Sequence, residues 1–208
     1  MYTLNPPIWR EPKQNRSRAR VDAILLATTH LVTEAGVDGL QIREIALRAG
    51  VPVGTVYQFF DDREAILACL AARYLAWQDE ELTQRFTDID SVDAWLRAIA
   101  GVTAVFYEYN VENPAVAAIW NAAGTSTAVR ELDLASTQRH THLLFNMSRP
   151  FMPPEVCDTR LKTACRLFCE LTPTVIRLAM QLPDEQARDY IEEYEAMIRA
   201  RTAELMHH

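Results

Sequence analysis

The 208-residue sequence is poor in glycine and cysteine and has no long apolar run, and each shortage narrows what it can be. No window of about 18 apolar residues occurs, so no membrane-spanning helix is expected. The N-terminal stretch is polar and carries Pro6, Pro7 and Pro12. That is not the apolar core of a secretory leader, and the reading is a cytoplasmic protein. The four cysteines, Cys69, Cys157, Cys165 and Cys169, form no CxxC pair. Cys165 and Cys169 fall four apart on one face of an expected helix, a spacing that suits core packing. A reducing compartment disfavours a disulfide, and a zinc site needs more ligands nearby. No metal and no cofactor are expected. GxSxG, HExxH, the phosphate loop and GxGxxG are all absent, so no enzymatic activity is expected. His140 and His142 stand two apart, on different helix faces, and are read as surface residues.

Charge is unevenly spread. The formal net charge is −7, which argues against a broadly basic DNA-organising protein. Yet residues 1–60 hold seven basic and five acidic side chains, whereas the remainder holds 14 and 23. Between positions 10 and 20, Arg10, Lys13, Arg16, Arg18 and Arg20 face only Glu11. This is the pattern of a basic module joined to an acidic body, although an ordinary solvated charge run gives the same count.

The positive content is helical. Residues 1–15 read as a flexible arm. Val21, Ile24, Leu25, Thr28, Leu31, Val32 and Ala35 then share one 3.6-residue face, with Ser17 as N-cap and Gly36 as the stop. Ile42, Ile45, Ala46 and Ala49 give a short second helix ending at Gly50. Pro52 opens a third as its first residue, with Val56 and Phe60 inward. Asp61 or Asp62 caps a fourth, from Arg63 to about Phe86. A near-continuous stripe from Val92 to Tyr109 follows, broken at Asn113–Pro114. A short helix passes Trp120 and ends near Gly124, and another spans about Ser126 to Met147. The last two run about Pro154–Leu182, where Pro173 predicts a kink, and Asp184–Met206. No strand alternation and no repeat are present. Four of the six glycines lie between Gly36 and Gly54, so the sharp turns sit in one short stretch.

That stretch carries the motif. Leu40–Glu64 reads LQIREIALRAGVPVGTVYQFFDDRE: helix, glycine turn, helix, within about 20 residues. This is the helix-turn-helix layout. The first helix braces the second, which needs one greasy face and one face small enough for the major groove. Val53, Gly54, Thr55, Tyr57 and Gln58 are left for the groove and its walls.

At this point the chain resembles the TetR family of transcriptional regulators. The resemblance rests on Ile45-Ala46, Ala49-Gly50-Val51, Gly54, Tyr57, Phe60 and the pair Arg63-Glu64, in register without gaps over about residues 18–67. Three positions depart: Gln41 stands where the family usually has Thr, Pro52 where it usually has Ser, and Arg63 where Lys is common. Gln41 caps a helix poorly, so a phosphate contact there is weakened. By carry-over, Tyr57 reaches a phosphate, Thr55 and Gln58 read bases, and Arg63 binds phosphate at a helix N-terminus. Arg43 touches backbone or a base, and Arg16 and Arg18 an adjacent phosphate or minor groove. The competing reading is packing for Tyr57 and plain solvation for the arginines.

The resemblance implies an all-α fold of about nine helices. It places a helix-turn-helix DNA-binding domain at 16–62 and a ligand-sensing and dimerisation domain at 63–206. It implies a homodimer on a palindromic double-stranded DNA operator, packed through the last two helices. It also implies release by a small-molecule effector held among the middle helices. Trp95, Phe106, Tyr107, Trp120, Phe145 and Phe168 are the aromatic candidates for that pocket, with core packing as their alternative. With nothing charged recurring on the apolar faces, an apolar or aromatic effector is expected. A small-molecule binding protein of the same fold with lost or conditional DNA binding is the other reading.

Overall fold

The computed structural model describes residues 15–122 and 126–206. Among them are ten α-helices, one 3-10 turn at Arg149–Phe151 and no strand. The helices are α1 Asn15–Ala35, α2 Ile42–Arg48, α3 Val53–Phe59, α4 Arg63–Arg85, α5 Val92–Ala100, α6 Val102–Glu112, α7 Pro114–Ala122, α8 Thr127–Ser148, α9 Asp158–Ala179 and α10 Asp184–Met206. They form two compact units. One comprises the described residues up to Tyr74 with Asn113–Leu132, the other Leu75–Glu112 with the described residues from Asp133 onward.

The first unit is built on the apolar face of α1. Val21, Ile24, Leu25, Leu31 and Val32 meet Ile45 and Ala46 of α2, Val56 of α3 and Phe60. Ile66 and Leu67 of α4 and Ala115 and Ile119 of α7 complete the cluster. Gly36 stops α1 at φ +74°, the left-handed conformation that costs glycine least. Ser17 is not the cap: α1 is already helical at Asn15. The expected arm lies outside the described residues except for Asn15.

The second unit packs α5, α6, α9 and α10 around Trp95, Ile99, Phe106, Leu161, Ile176, Ile191, Ile198 and Leu205. Its helices start where local chemistry permits. Ser91 Oγ accepts from the Ala94 N–H at 3.2 Å and caps α5. The stripe from Val92 to Tyr109 proves to be two helices divided at Gly101. A Cβ there would lie 3.1 Å from the tip of the Arg85 side chain and 3.4 Å from the Arg97 carbonyl, a tight fit that glycine avoids. The apolar stripe faces the same core on both sides of the break and conceals it. α9 runs through Pro173 without ending. No helix among the described residues is long and apolar enough to cross a membrane.

One expectation about titratable side chains is overturned, at His140. Cys157 is exposed. Backbone hydrogen bonds from Thr159 and Arg160, at the start of α9, lower its thiol pKa. Burial raises Cys165 to about 12 and Cys169 to about 11, as suits packed thiols. His142 is exposed, but the His140 side chain is only 13% exposed and its Nε2 lies 2.6 Å from Asp79 Oδ1. Burial works to raise the Asp79 pKa. The His140 hydrogen bond and the Arg139 guanidinium outweigh it and hold the carboxyl below its usual range.

Candidate nucleic-acid interface

The interface begins at a turn that sequence alone specifies. Gly50, at φ +66°, lets the chain reverse after α2. The Val51 N–H then donates to the Ala46 carbonyl at 3.0 Å, and the Gly50 N–H to Leu47 at 3.2 Å. This paired closure satisfies the last carbonyls of α2 and fixes the direction in which the chain leaves. Pro52, at φ −58° and ψ 144°, is the N-cap of α3 and not its first helical residue. Its carbonyl accepts from the Thr55 N–H at 2.8 Å. Neither Gln41 nor Pro52 supplies a side-chain cap. Glu44 in the first turn of α2 and Arg48 in its last complement the helix dipole. Arg48 also holds Glu34 of α1 at 2.5 Å.

α3 is anchored from behind and open in front. Val56 and Phe60 are fully buried, and Phe60 turns into extended backbone at φ −133° to end the helix. Asp62 Oδ1 accepts from the Ala65 N–H at 2.8 Å and starts α4; of the two aspartates expected as caps, this is the one that serves. The outer side of α3 presents Tyr57, 51% exposed, and Val53, 36% exposed, with Gly54 and Gln58 also exposed. Thr55 is half-buried and turns partly behind this face. Gln41, Arg43 and Arg63 are exposed around it, and Arg16 and Arg18 are exposed on α1. Arg63 Nη1 donates to the Asp38 carbonyl at 3.4 Å, and its Nε lies 3.7 Å from Glu64. These contacts hold a cation at the N-terminus of α4. Leu47, 82% exposed, was not anticipated. It lies one turn after Arg43 on the same side of α2, and its one sequence signal is that it falls outside the Ile42–Ile45–Ala46–Ala49 stripe.

Gly54 is the informative position. Its φ is not left-handed, and a Cβ added there meets nothing within 4 Å. Inside a helix, glycine costs about 1 kcal/mol relative to alanine. The chain's own packing therefore gives no reason for it, whereas close approach by a partner does. Gly54→Ala should raise the unfolding midpoint slightly or leave it unchanged, yet weaken operator binding. Thermal melting and a gel-shift titration on one preparation separate the two effects; equal DNA affinity would remove Gly54 from the contact surface.

The aromatic pocket candidates separate. Trp120 belongs to the first unit, where its ring lies 6.0 Å from that of Tyr74. Trp95 is buried in the second unit and stacks on Phe151 at 5.7 Å. Phe106 meets Trp77 at 5.7 Å, and Trp77 stacks on Tyr109 at 3.7 Å. Tyr107, Phe145 and Phe168 are partly buried against the same core, with Lys162 Nζ 4.7 Å from the centre of the Phe145 ring. A polar depression of about 480 Å³ lies elsewhere on the second unit, lined by Glu81, Gln84, Arg85, Ala94, Arg97 and Ala98. None of the candidate aromatics lines it.

Two family models match the chain. One, described as bacterial regulatory proteins of the tetR family, covers residues 24–70. The other, described as the tetracyclin repressor-like C-terminal domain, covers residues 93–206. A TetR-family transcriptional regulator from Streptomyces coelicolor is 27% identical at a TM-score of 0.70, covering 92% of this chain and 99% of that one. SmeT, solved as a complex with triclosan, is 20% identical at 0.67, covering 88% and 90%. NalD of Pseudomonas aeruginosa, the secondary repressor of the MexAB-OprM multidrug efflux pump, is 20% identical at 0.66, covering 89% and 97%. At that identity the last two share the fold alone. No curated protein sequence matches the chain.

Proposed function

The chain belongs to the TetR family of bacterial transcriptional regulators, and from that premise we propose that it is a repressor that binds a palindromic operator as a homodimer and is released by a small molecule. The observation that carries this is the solvent face of α3: Val53, Gly54, Tyr57 and Gln58 outward, Val56 and Phe60 buried behind. In this reading residues 16–62 are the reading head, 63–206 sense and dimerise, and 1–15 form an arm. Gln58 pairs with adenine and the Thr55 methyl meets thymine. Tyr57 and Arg63 hold phosphates, with Gln41, Arg43 and Arg18 around them. A dimer on its operator blocks polymerase by exclusion and needs no further surface.

Two half-sites one helical turn apart require two reading heads. Leu167, Leu171, Leu178 and Leu182 in and after α9, with Tyr190 and Met197 of α10, are large apolar side chains left exposed in the single chain. They supply the material of an interface between copies. The effector is read as apolar or aromatic. SmeT with bound triclosan is a precedent on the same fold.

The second reading, a sensing protein with lost or conditional DNA binding, draws on the two uncapped helices of the motif. Selection of bound duplexes from a random DNA pool, at one stated salt concentration, decides between them. An enriched inverted repeat supports the repressor, and no enrichment favours the second reading. On the recovered site, Tyr57→Phe should weaken binding by about 1–3 kcal/mol, whatever the bases, because a hydrogen bond to a charged acceptor is removed. A change in base preference alone would assign Tyr57 a different role.

A further inference from the structure

The depression on the second unit is lined by two helix faces of the same spacing. Glu81, Gln84 and Arg85 come from α4, and Ala94, Arg97 and Ala98 from α5. Each set falls at i, i+3 and i+4, so each is one continuous patch on its helix. α4 contributes long polar side chains. α5 contributes one arginine and two alanines, whose methyl groups are too short to fill the space in front of them. The volume of about 480 Å³ is that of a small-molecule site.

The charge of this lining is opposite to that of the chain. Two guanidiniums and one carboxylate give a local net of +1, in a chain of net charge −7. Arg85 is held in place. Its Nη2 lies 3.5 Å from Glu81 Oε1, and its Nη1 rests at Gly101, 3.1 Å from where a Cβ would stand. The side chain is still 24% exposed, so it offers a donor already ordered, and a ligand meeting it loses little to side-chain entropy. The Gln84 amide donates to Glu80 at 3.2 Å and is turned to its own helix. Arg97 is exposed and, among the described residues, makes no hydrogen bond or ion pair. With Glu81 engaged by Arg85, Arg97 is the cation of this lining without a counter-charge.

We propose that the depression binds a small organic anion, a metabolite with a carboxylate or phosphate head and a short polar body. The N–H forks of Arg97 and Arg85 hold the head, since a planar guanidinium fits two oxygens of either group. The body lies over Ala94 and Ala98. The proposal goes beyond the reading of an apolar effector. None of the aromatic candidates lines the depression, so the two sites are tested separately.

The test is calorimetric titration of the full chain at low salt with two anions and their uncharged counterparts: gluconate against sorbitol, and glycerol phosphate against glycerol. An anion should bind roughly tenfold or more tightly than its counterpart, as one charge-assisted hydrogen bond predicts. Arg97→Gln should remove that advantage with an unchanged melting temperature, because the side chain is exposed. Arg97→Lys, which keeps the charge and loses the fork, should restore only part of it. Arg130→Gln removes the same charge from an exposed position outside the lining and should bind as the unaltered chain does. Binding of one anion and not the other supports the site and names its head group. The site is overturned if neither anion binds better than its counterpart, if Arg97→Gln binds as tightly as the unaltered chain, or if Arg130→Gln loses as much affinity as Arg97→Gln.

Discussion

Leu171→Glu combined with Leu178→Glu is expected to convert the protein to a monomer at micromolar concentration and to abolish operator binding. Both side chains are more than two-fifths exposed in the single chain, so the fold has little reason to resist the change. In a two-fold dimer each substitution occurs twice at one self-complementary surface. An unpaired carboxylate enclosed there costs about 3–5 kcal/mol. Losing one of two linked reading heads then removes the gain from simultaneous engagement, roughly a hundredfold or more in affinity. Sedimentation velocity reads the assembly, far-UV circular dichroism reads the helices, and a gel shift reads the operator. A variant that remains a dimer would move the interface away from this face of α9.

Phe60→Ala should act at the other end of the chain and by another route. Phe60 is wholly buried at the point where α3 ends, against Val56, Ile45 and the face of α1. Deleting a buried phenyl ring leaves a cavity and costs about 3–5 kcal/mol. The urea midpoint should fall with little change in slope, because the surface exposed on unfolding stays nearly the same. Operator binding should be lost more completely than in Tyr57→Phe, since the orientation of all of α3 depends on that ring. Leu47→Ala is the control for truncating an apolar side chain. With 82% of that residue in solvent, its stability should change by no more than about 0.5 kcal/mol. Similar midpoints for the two variants would show that Phe60 does not pin α3.

The motif was legible in the sequence because its geometry is set by neighbours in the chain. Gly50 must be glycine to take φ +66°, and the two closing hydrogen bonds of that turn join residues three and five apart. Ile45 and Ala46 on one side and Val56 and Phe60 on the other then have one way to face the same core. The break at Gly101 was not legible. A Cβ there would be a tight fit against the tip of the Arg85 side chain, which arrives from 16 positions away in the chain. The role of His140 was hidden in the same way, because Asp79 comes to it from another helix.

By itself the sequence determined most of the helices, the sharp turn between α2 and α3 and the buried residues Ile45, Ala46, Val56 and Phe60, since these follow from periodicity, glycine placement and local hydrogen bonding. Tertiary structure decided what periodicity does not encode: which outward residues stay in solvent, that Thr55 turns partly inward while Leu47 stands free, and that Trp120 joins a different core from the other pocket candidates. It also decided that Ser136 is buried with no hydrogen-bond partner for its Oγ. The physical reason is that burial and satisfaction depend on groups distant in the chain, and a polar residue at an inward helical position looks the same in sequence whether or not a partner arrives.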